Sequence, residues 1–130
     1  MVAGKLIRVP VRTSEENVMK INSRTVGDVQ ILDCSGRITL GEGTLAVRNT
    51  VLDILNTGGR KIVLNLADVN YIDSSGVGEL VSSYTTVVDQ GGQLKLLCLT
   101  KKIREILAIT RLLTVFQVFD TETASVASFA

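Results

Sequence analysis

The chain has 130 residues, with 14 Lys and Arg against 13 Asp and Glu, two Cys, one Pro, and neither Trp nor His. That length predicts one domain able to bury its own core, and 45% hydrophobic with 21% charged residues is globular composition. A net charge of +1 argues against a nucleic-acid footprint, and the lack of histidine excludes Ser-His-Asp and Cys-His nucleophiles, phosphohistidine relays and imidazole metal ligands.

Taken in chain order, residues 1–17 mix single apolar and charged residues around Pro10 and read as a lead-in or an edge strand. They lack the long apolar region of a signal peptide, and nowhere does an apolar run approach the ~20 residues of a membrane span. The folded domain is expected over 18–130. Val18–Val26 and Val29–Cys34 read as two strands joined at Gly27-Asp28, with Ser35-Gly36 ending the second. Gly41-Glu42-Gly43-Thr44 is a loop feeding a helix, with Thr44 expected as its N-cap. Val47, Val51, Ile54 and Leu55 fall on one face of that helix, broadened by Leu45 and Leu52, and Gly58-Gly59 stops it.

Lys61–Leu66 follows as a short apolar strand. The order of events then recurs. Val77, Leu80, Val81, Tyr84 and Val88 form a second amphipathic helix, Gly91-Gly92 stops it, and Gln93–Leu99 is the next strand. Two helix–Gly-Gly–strand units about 33 residues apart describe a βαβ crossover with parallel strands. A third helix begins at Thr100 as N-cap and carries Ile103, Ile106 and Leu107. Lys101, Lys102 and Arg104 on it read as a solvated face. Val115–Phe119 is the last strand and Thr121–Phe129 a final short helix. Cys34 and Cys98 lie in apolar, strand-like segments and read as small buried thiols of a reduced, cytoplasmic protein. The expected fold is a single α/β domain, a mixed β-sheet with a parallel βαβ core and about four helices.

The stretch with chemical content runs from Asn65 through Asp73-Ser74-Ser75-Gly76-Val77-Gly78 into the second helix. Asp73, Ser74 and Ser75 fall at a helix N-terminus, where unpaired N–H groups and the macrodipole favour oxygen acceptors and negative charge. Loops after the carboxyl ends of parallel strands are also the usual ligand face. From spacing alone, Asp-Ser-Ser is ordinary capping. The Gly-x-Gly is too short for a dinucleotide fingerprint, and no phosphate-loop motif is present. Two glycines in the first turns of a helix each cost up to ~1 kcal/mol against Ala, and two hydroxyls exceed the one a cap needs. Such a serine can also carry a phosphate with local backbone support.

With Ile62–Leu66 and Val69–Ile72 before it, the Asp73–Gly78 run closely resembles the signature of STAS domains, nearest to the bacterial anti-sigma factor antagonists. The resemblance covers about Val18 to Phe129, including Gly91-Gly92 and the Thr110–Phe116 segment. It implies that Ser74 is the phosphoacceptor, with Ser75 the rival hydroxyl. It implies as partners an anti-sigma factor that is also a Ser/Thr kinase with a histidine-kinase-like ATPase fold, and a metal-dependent serine phosphatase. Unphosphorylated antagonist captures the kinase, phosphorylation breaks the complex, and the phosphatase restores it. Asp73, Ser75, Gly76, Val77 and Gly78 are expected to meet the partner, with Thr39, Leu40, Gly41, Glu42 and Thr44 as a second patch at the same sheet end, for which a plain loop is the alternative. Gly76 and Gly78 are assigned to close partner approach, with helix packing as the alternative. The family commonly carries a Gly-Glu-(Leu/Ile)-Asp run after the second strand, where this chain has Gly36-Arg37-Ile38-Thr39, so the same kinase need not be shared.

The alternative reading is a constitutive STAS scaffold in a signalling or transport-associated complex, with Ser74 unmodified. An enzyme would need Asp73, Asp68, Lys101 or Lys102 as a base for Ser74 or Ser75, and a nucleotide-binding module would rest on the helix N-terminus alone. Neither an enzymatic role nor a bound cofactor or metal is expected.

Overall fold

The computed structural model describes residues 19–130, so the expected lead-in over 1–17, and Val18 at the head of the first strand, lie outside the described residues. Strand β1 (Lys20–Val26) turns at Gly27, whose φ of +64° suits a tight two-residue hairpin, into β2 (Val29–Ile38). Helix α1 (Glu42–Asn56), β3 (Lys61–Ile72), α2 (Ser74–Asp89), β4 (Gln93–Leu97), α3 (Lys101–Ile109), β5 (Val118–Phe119) and α4 (Glu122–Ala127) follow. The strands lie in chain order as one sheet, β1 antiparallel to β2 and every later neighbour parallel. The expected mixed sheet and its parallel βαβ core are what the chain builds.

One sheet face carries the larger core. Leu32, Ile38, Leu64 and Leu96 pack there with Val47 and Val51 of α1, Leu80 and Val87 of α2, and Ile103 and Leu107 of α3. Each fully buried Leu or Ile contributes about 1.5–3 kcal/mol, which makes this face the main source of cohesion. On the opposite face Val29, Ile31, Val63, Leu97 and Phe129 form a smaller cluster by α4. Lys95 is buried beside it, its Nζ donating to Ser128 Oγ at 2.8 Å and lying 4.1 Å from the Phe129 ring centroid. Burial lowers the pKa of that ammonium.

Several boundaries differ from the sequence reading. Strand β2 does not stop at Ser35-Gly36. It continues to Ile38, with shifts of register against β3 at Asp33/Ser35 and Gly36/Arg37, and Gly36 has a φ of +103°. Such irregularities let a strand absorb an extra residue without ending. Strand β3 likewise runs on to Ile72, because Val69 and Ile72 keep facing the core while Asp68, Asn70 and Tyr71 are exposed. Val87 rather than Val88 faces inward on α2, β4 ends at Leu97, and β5 holds only two of the five expected residues. Thr100 caps α3 as expected, accepting from Ile103 N at 3.2 Å, and Thr121, read only as the start of the final helix, caps α4 by accepting from Ala124 N at 3.2 Å.

Cys34 is buried and Cys98 partly exposed, and both are free thiols. Burial pushes the Cys34 thiol up to about 12, which leaves it protonated and unreactive near neutral pH. No helix among the described residues is long and apolar enough to cross a membrane.

Candidate functional site

Because β2 and β3 run parallel, the β2–α1 and β3–α2 connections emerge at the same end of the sheet. The join between them is made by one side chain. Asp73 is the N-cap of α2, in extended conformation, and its Oδ1 accepts from Gly76 N at 2.8 Å. Its Oδ2 reaches across to the other connection and accepts from Leu40 N at 3.2 Å. The Gly76 N–H above all, then the Leu40 N–H, holds the Asp73 carboxyl below the usual carboxylate range. Asp73 N in turn donates to Ile38 O at 3.4 Å. The carboxylate is therefore a strap between two loops, with both oxygens engaged inside the chain.

Close packing reinforces the strap. A Cβ on Gly76 would lie 2.1 Å from Ile38 O and 2.6 Å from Ile72 Cγ1, so glycine alone lets the first turn of α2 rest on β2. Gly43 does the same for α1, where a Cβ would lie 2.5 Å from Arg37 O. Gly76, expected among the residues meeting a partner, is buried and its lack of a side chain is explained by packing within the domain. Gly78 differs, because nothing lies within 4 Å of where its Cβ would be and the residue is exposed. Close external approach therefore has room at Gly78 and not at Gly76.

Ser74 follows the strap as the first residue of α2 and is exposed, whereas Ser75 is half-buried. Among the described residues neither hydroxyl has a hydrogen-bond partner within the chain. Val77, although mostly buried, lines an apolar groove with Ile72, Val81, Ile106 and Leu112, and Asp73, Ser74 and Gly78 stand along it. The groove has a volume of about 420 Å³. The sequence reading puts Asp73, Ser74, Val77 and Gly78 at the partner-facing turn and Val81 and Ile106 at core-facing helical positions, without joining them into a groove. What separates the groove from core is the space left between α2 and α3, which periodicity does not report.

On the α1 side, Thr44 is not the N-cap. The helix starts earlier, at Glu42 with Gly41 as cap, and no side chain caps it. Thr44 is buried, donating from Oγ1 to Gly41 O at 3.2 Å and from its backbone N to Thr39 O at 3.1 Å. Thr39 is half-buried, and the outward position of this connection belongs to Leu40, which is 78% exposed. Beneath Gly78, Glu79 is only 3% exposed. Its Oε1 accepts from Arg48 Nη2 at 2.8 Å and Nε at 3.2 Å, and its Oε2 from Ser83 Oγ at 2.9 Å. The pair ties α1 to α2 directly behind the serine turn. No sequence pattern marked it, since the partners are 31 residues apart. Among the described residues no group of three or more His, Cys, Asp or Glu could hold a metal ion.

The arrangement offers a rigid turn presenting one hydroxyl at a groove edge, with the adjacent carboxylate committed to backbone. Comparison with known proteins agrees with the signature from which this turn was read. The sequence profile of the STAS domain matches residues 20–125. A Thermotoga maritima protein named as an anti-sigma factor antagonist is 30% identical over 98 residues, covering 75% of this chain and 87% of its own length. A Thermotoga neapolitana protein of the same description is 31% identical with the same coverage. Among solved structures, an anti-sigma factor antagonist of T. maritima superposes with a TM-score of 0.76 at 28% identity, covering 83% of this chain and 92% of that one. The Bacillus cell-fate determinant SpoIIAA in its phosphorylated form shares the fold, with a TM-score of 0.68 at 17% identity over 85% of this chain and 100% of its own. The chain belongs to the STAS domain family, among the bacterial anti-sigma factor antagonists.

Proposed function

We propose that this protein is an anti-sigma factor antagonist whose binding is switched at Ser74. With Ser74 unphosphorylated it captures an anti-sigma factor Ser/Thr kinase of histidine-kinase-like ATPase fold. Phosphorylation of Ser74 by that kinase releases it, and a metal-dependent serine phosphatase resets the cycle. The observation that carries this reading is the exposed Ser74 at the first position of α2, on the lip of the apolar groove. Ser75, half-buried one residue on, is the less accessible hydroxyl.

The physics of the switch follows from what already occupies the helix end. A phosphate brings a charge of about −1.5 to −2 at neutral pH. The helix N-terminus tolerates anions, so the fold survives modification. Here, however, the Gly76 and Leu40 N–H groups are engaged by Asp73. The phosphate would sit beside an ionised carboxylate with its nearest donors partly used. Covering that pair of anions with an apolar partner surface costs several kcal/mol, and each 1.4 kcal/mol is tenfold in affinity. The switch is thus repulsive and leaves the domain folded.

Binding of Ser74→Ala and Ser74→Asp variants to each histidine-kinase-like Ser/Thr kinase of the source genome tests this. Ser74→Ala should be captured and Ser74→Asp should bind at least tenfold more weakly. Equal binding would instead favour a constitutive scaffold, with Ser74 unmodified.

A further inference from the structure

At the sheet end that carries Ser74, two cations share one aromatic ring. Arg37 on β2 and Tyr71 on β3 are register partners, and the Arg37 guanidinium carbon lies 4.6 Å from the Tyr71 ring centroid. From the first turn of α3, Lys102 Nζ comes within 5.9 Å of the same ring. Tyr71 is 38% exposed, and Lys101 and Lys102 are exposed. Among the described residues the ion pairs join Arg24 to Asp33 and Glu122, Arg48 to Glu79, Lys61 to Asp28 and Arg104 to Asp120. None of them involves Arg37, Lys101 or Lys102. The nearby carboxylate Asp73 accepts from backbone N–H groups instead, and Asp68, three residues before Tyr71 on β3, makes no ion pair either.

One feature of this cluster runs against simple stability, and a second suits it to binding. Lysines in the first turn of a helix oppose the macrodipole, and α3 has no acidic residue there to offset them. The Arg37 guanidinium is held against the Tyr71 ring and makes no ion pair or side-chain hydrogen bond among the described residues, so its N–H groups are open to a carboxylate, which a guanidinium can grip through two parallel bonds. Holding the guanidinium there beforehand removes part of the ordering cost of binding. Nucleic acid is a poorer fit, because the chain's net charge is only +1 and Tyr71 is the one aromatic side chain in the cluster.

We propose that the Arg37–Tyr71–Lys102 cluster selects the partner by gripping an acidic segment, a run of Asp or Glu side chains on the kinase surface next to the Ser74 contact. The proposal rests on the kinase-capture reading and names the partner's chemistry at a second point of contact. The test compares the parent with Arg37→Glu/Lys102→Glu, one half-buried and one exposed position, after confirming that their melting temperatures agree. Binding to the captured kinase is measured at low and high salt. In parallel, the Tyr71 ring signals are followed by NMR during titration with a poly-glutamate peptide and with oligothymidine.

The charge reversal is expected to weaken kinase capture about tenfold, with a shallower salt dependence than the parent. Poly-glutamate should shift the Tyr71 signals in the parent and not in the variant. Undiminished capture by the variant, or a preference of the parent for oligothymidine, overturns the proposal. If the parent captures no kinase at all, the switch reading fails separately. The peptide titration then decides the cluster alone, a shift lost in the variant sustaining an acid-binding site and no shift in the parent refuting it.

Discussion

Two of the helices that begin at the Ser74 end of the sheet, α1 and α2, are anchored in opposite ways. Helix α2 starts from Asp73, a side-chain cap that satisfies Gly76 N and also reaches across to Leu40 N. Helix α1 starts from Gly41 with no side-chain cap, and the loop before it is held from outside, by the cap of α2. Both rest a glycine on the end of β2, Gly43 against Arg37 O and Gly76 against Ile38 O. The difference teaches that the α2 start is the rigid member and the α1 start depends on it. The proposed phosphoacceptor Ser74 stands on the rigid member, where a new charge would change the surface without moving the backbone.

Variants at these two starts sharpen the contrast. The largest effect is expected for Gly76→Ala, since its Cβ would fall 2.1 Å from a backbone oxygen that cannot swing aside. A loss of about 3 kcal/mol or more in urea unfolding is predicted. A cost below about 1 kcal/mol would mean that α2 lifts off β2 easily and is not rigid. Arg48→Met comes next. It leaves the buried Glu79 carboxylate with Ser83 alone, and because Arg48 itself is half exposed the predicted loss is about 1–3 kcal/mol.

Asp73→Asn should act through pH. The folded-state pKa of Asp73 is depressed, so the unfolded chain takes up its proton first. The stability that Asp73 contributes is present above the ordinary carboxylate pKa of about 4, and it is lost as pH falls from there towards the folded value. The parent should therefore lose melting temperature on acidification more steeply than Asp73→Asn. Asp28, Asp33 and Glu122 are depressed as well, by Lys61 and Arg24, so the variant should retain part of the slope. Identical acid slopes would remove the carboxylate strap from the account. The smallest effect is predicted for Gly78→Ala. With open space at its Cβ it should leave stability unchanged or raise it by up to ~1 kcal/mol, in direct contrast to Gly76→Ala.

Much of the architecture was legible because periodicity and glycine punctuation agree. Val47, Val51, Ile54 and Leu55 face the core as their spacing predicts, and α1 and α2 end just before Gly58 and Gly91, at φ of +97° and +83°. Thr100 could be read as a cap because its hydroxyl bonds three residues ahead, within its own turn. Thr44 was misread because the same residue type can bond backwards, to Gly41 O, from inside the first turn. The extension of β3 past Leu66 was hidden by Ala67, Asp68 and Asn70, polar or small residues on an open stretch of sheet.

At the site, the position of Ser74 was legible from the local run Asp73–Gly78. Its supports were not. Asp73 to Leu40 spans 33 residues and Arg48 to Glu79 spans 31, and contacts at that separation depend on the sheet register rather than on any local pattern. The contrast between Gly76 and Gly78 was equally invisible, because a sequence cannot say which of two glycines has a carbonyl behind it.

The most direct test of the proposed switch incubates the unmodified chain with its captured kinase and ATP, maps the phosphate by mass spectrometry, and follows the complex by size-exclusion chromatography. The prediction is a single phosphate on Ser74 and dissociation of the complex while the domain keeps its fold by circular dichroism. A phosphate on Ser75 instead, or a complex that persists with Ser74 fully phosphorylated, would contradict it.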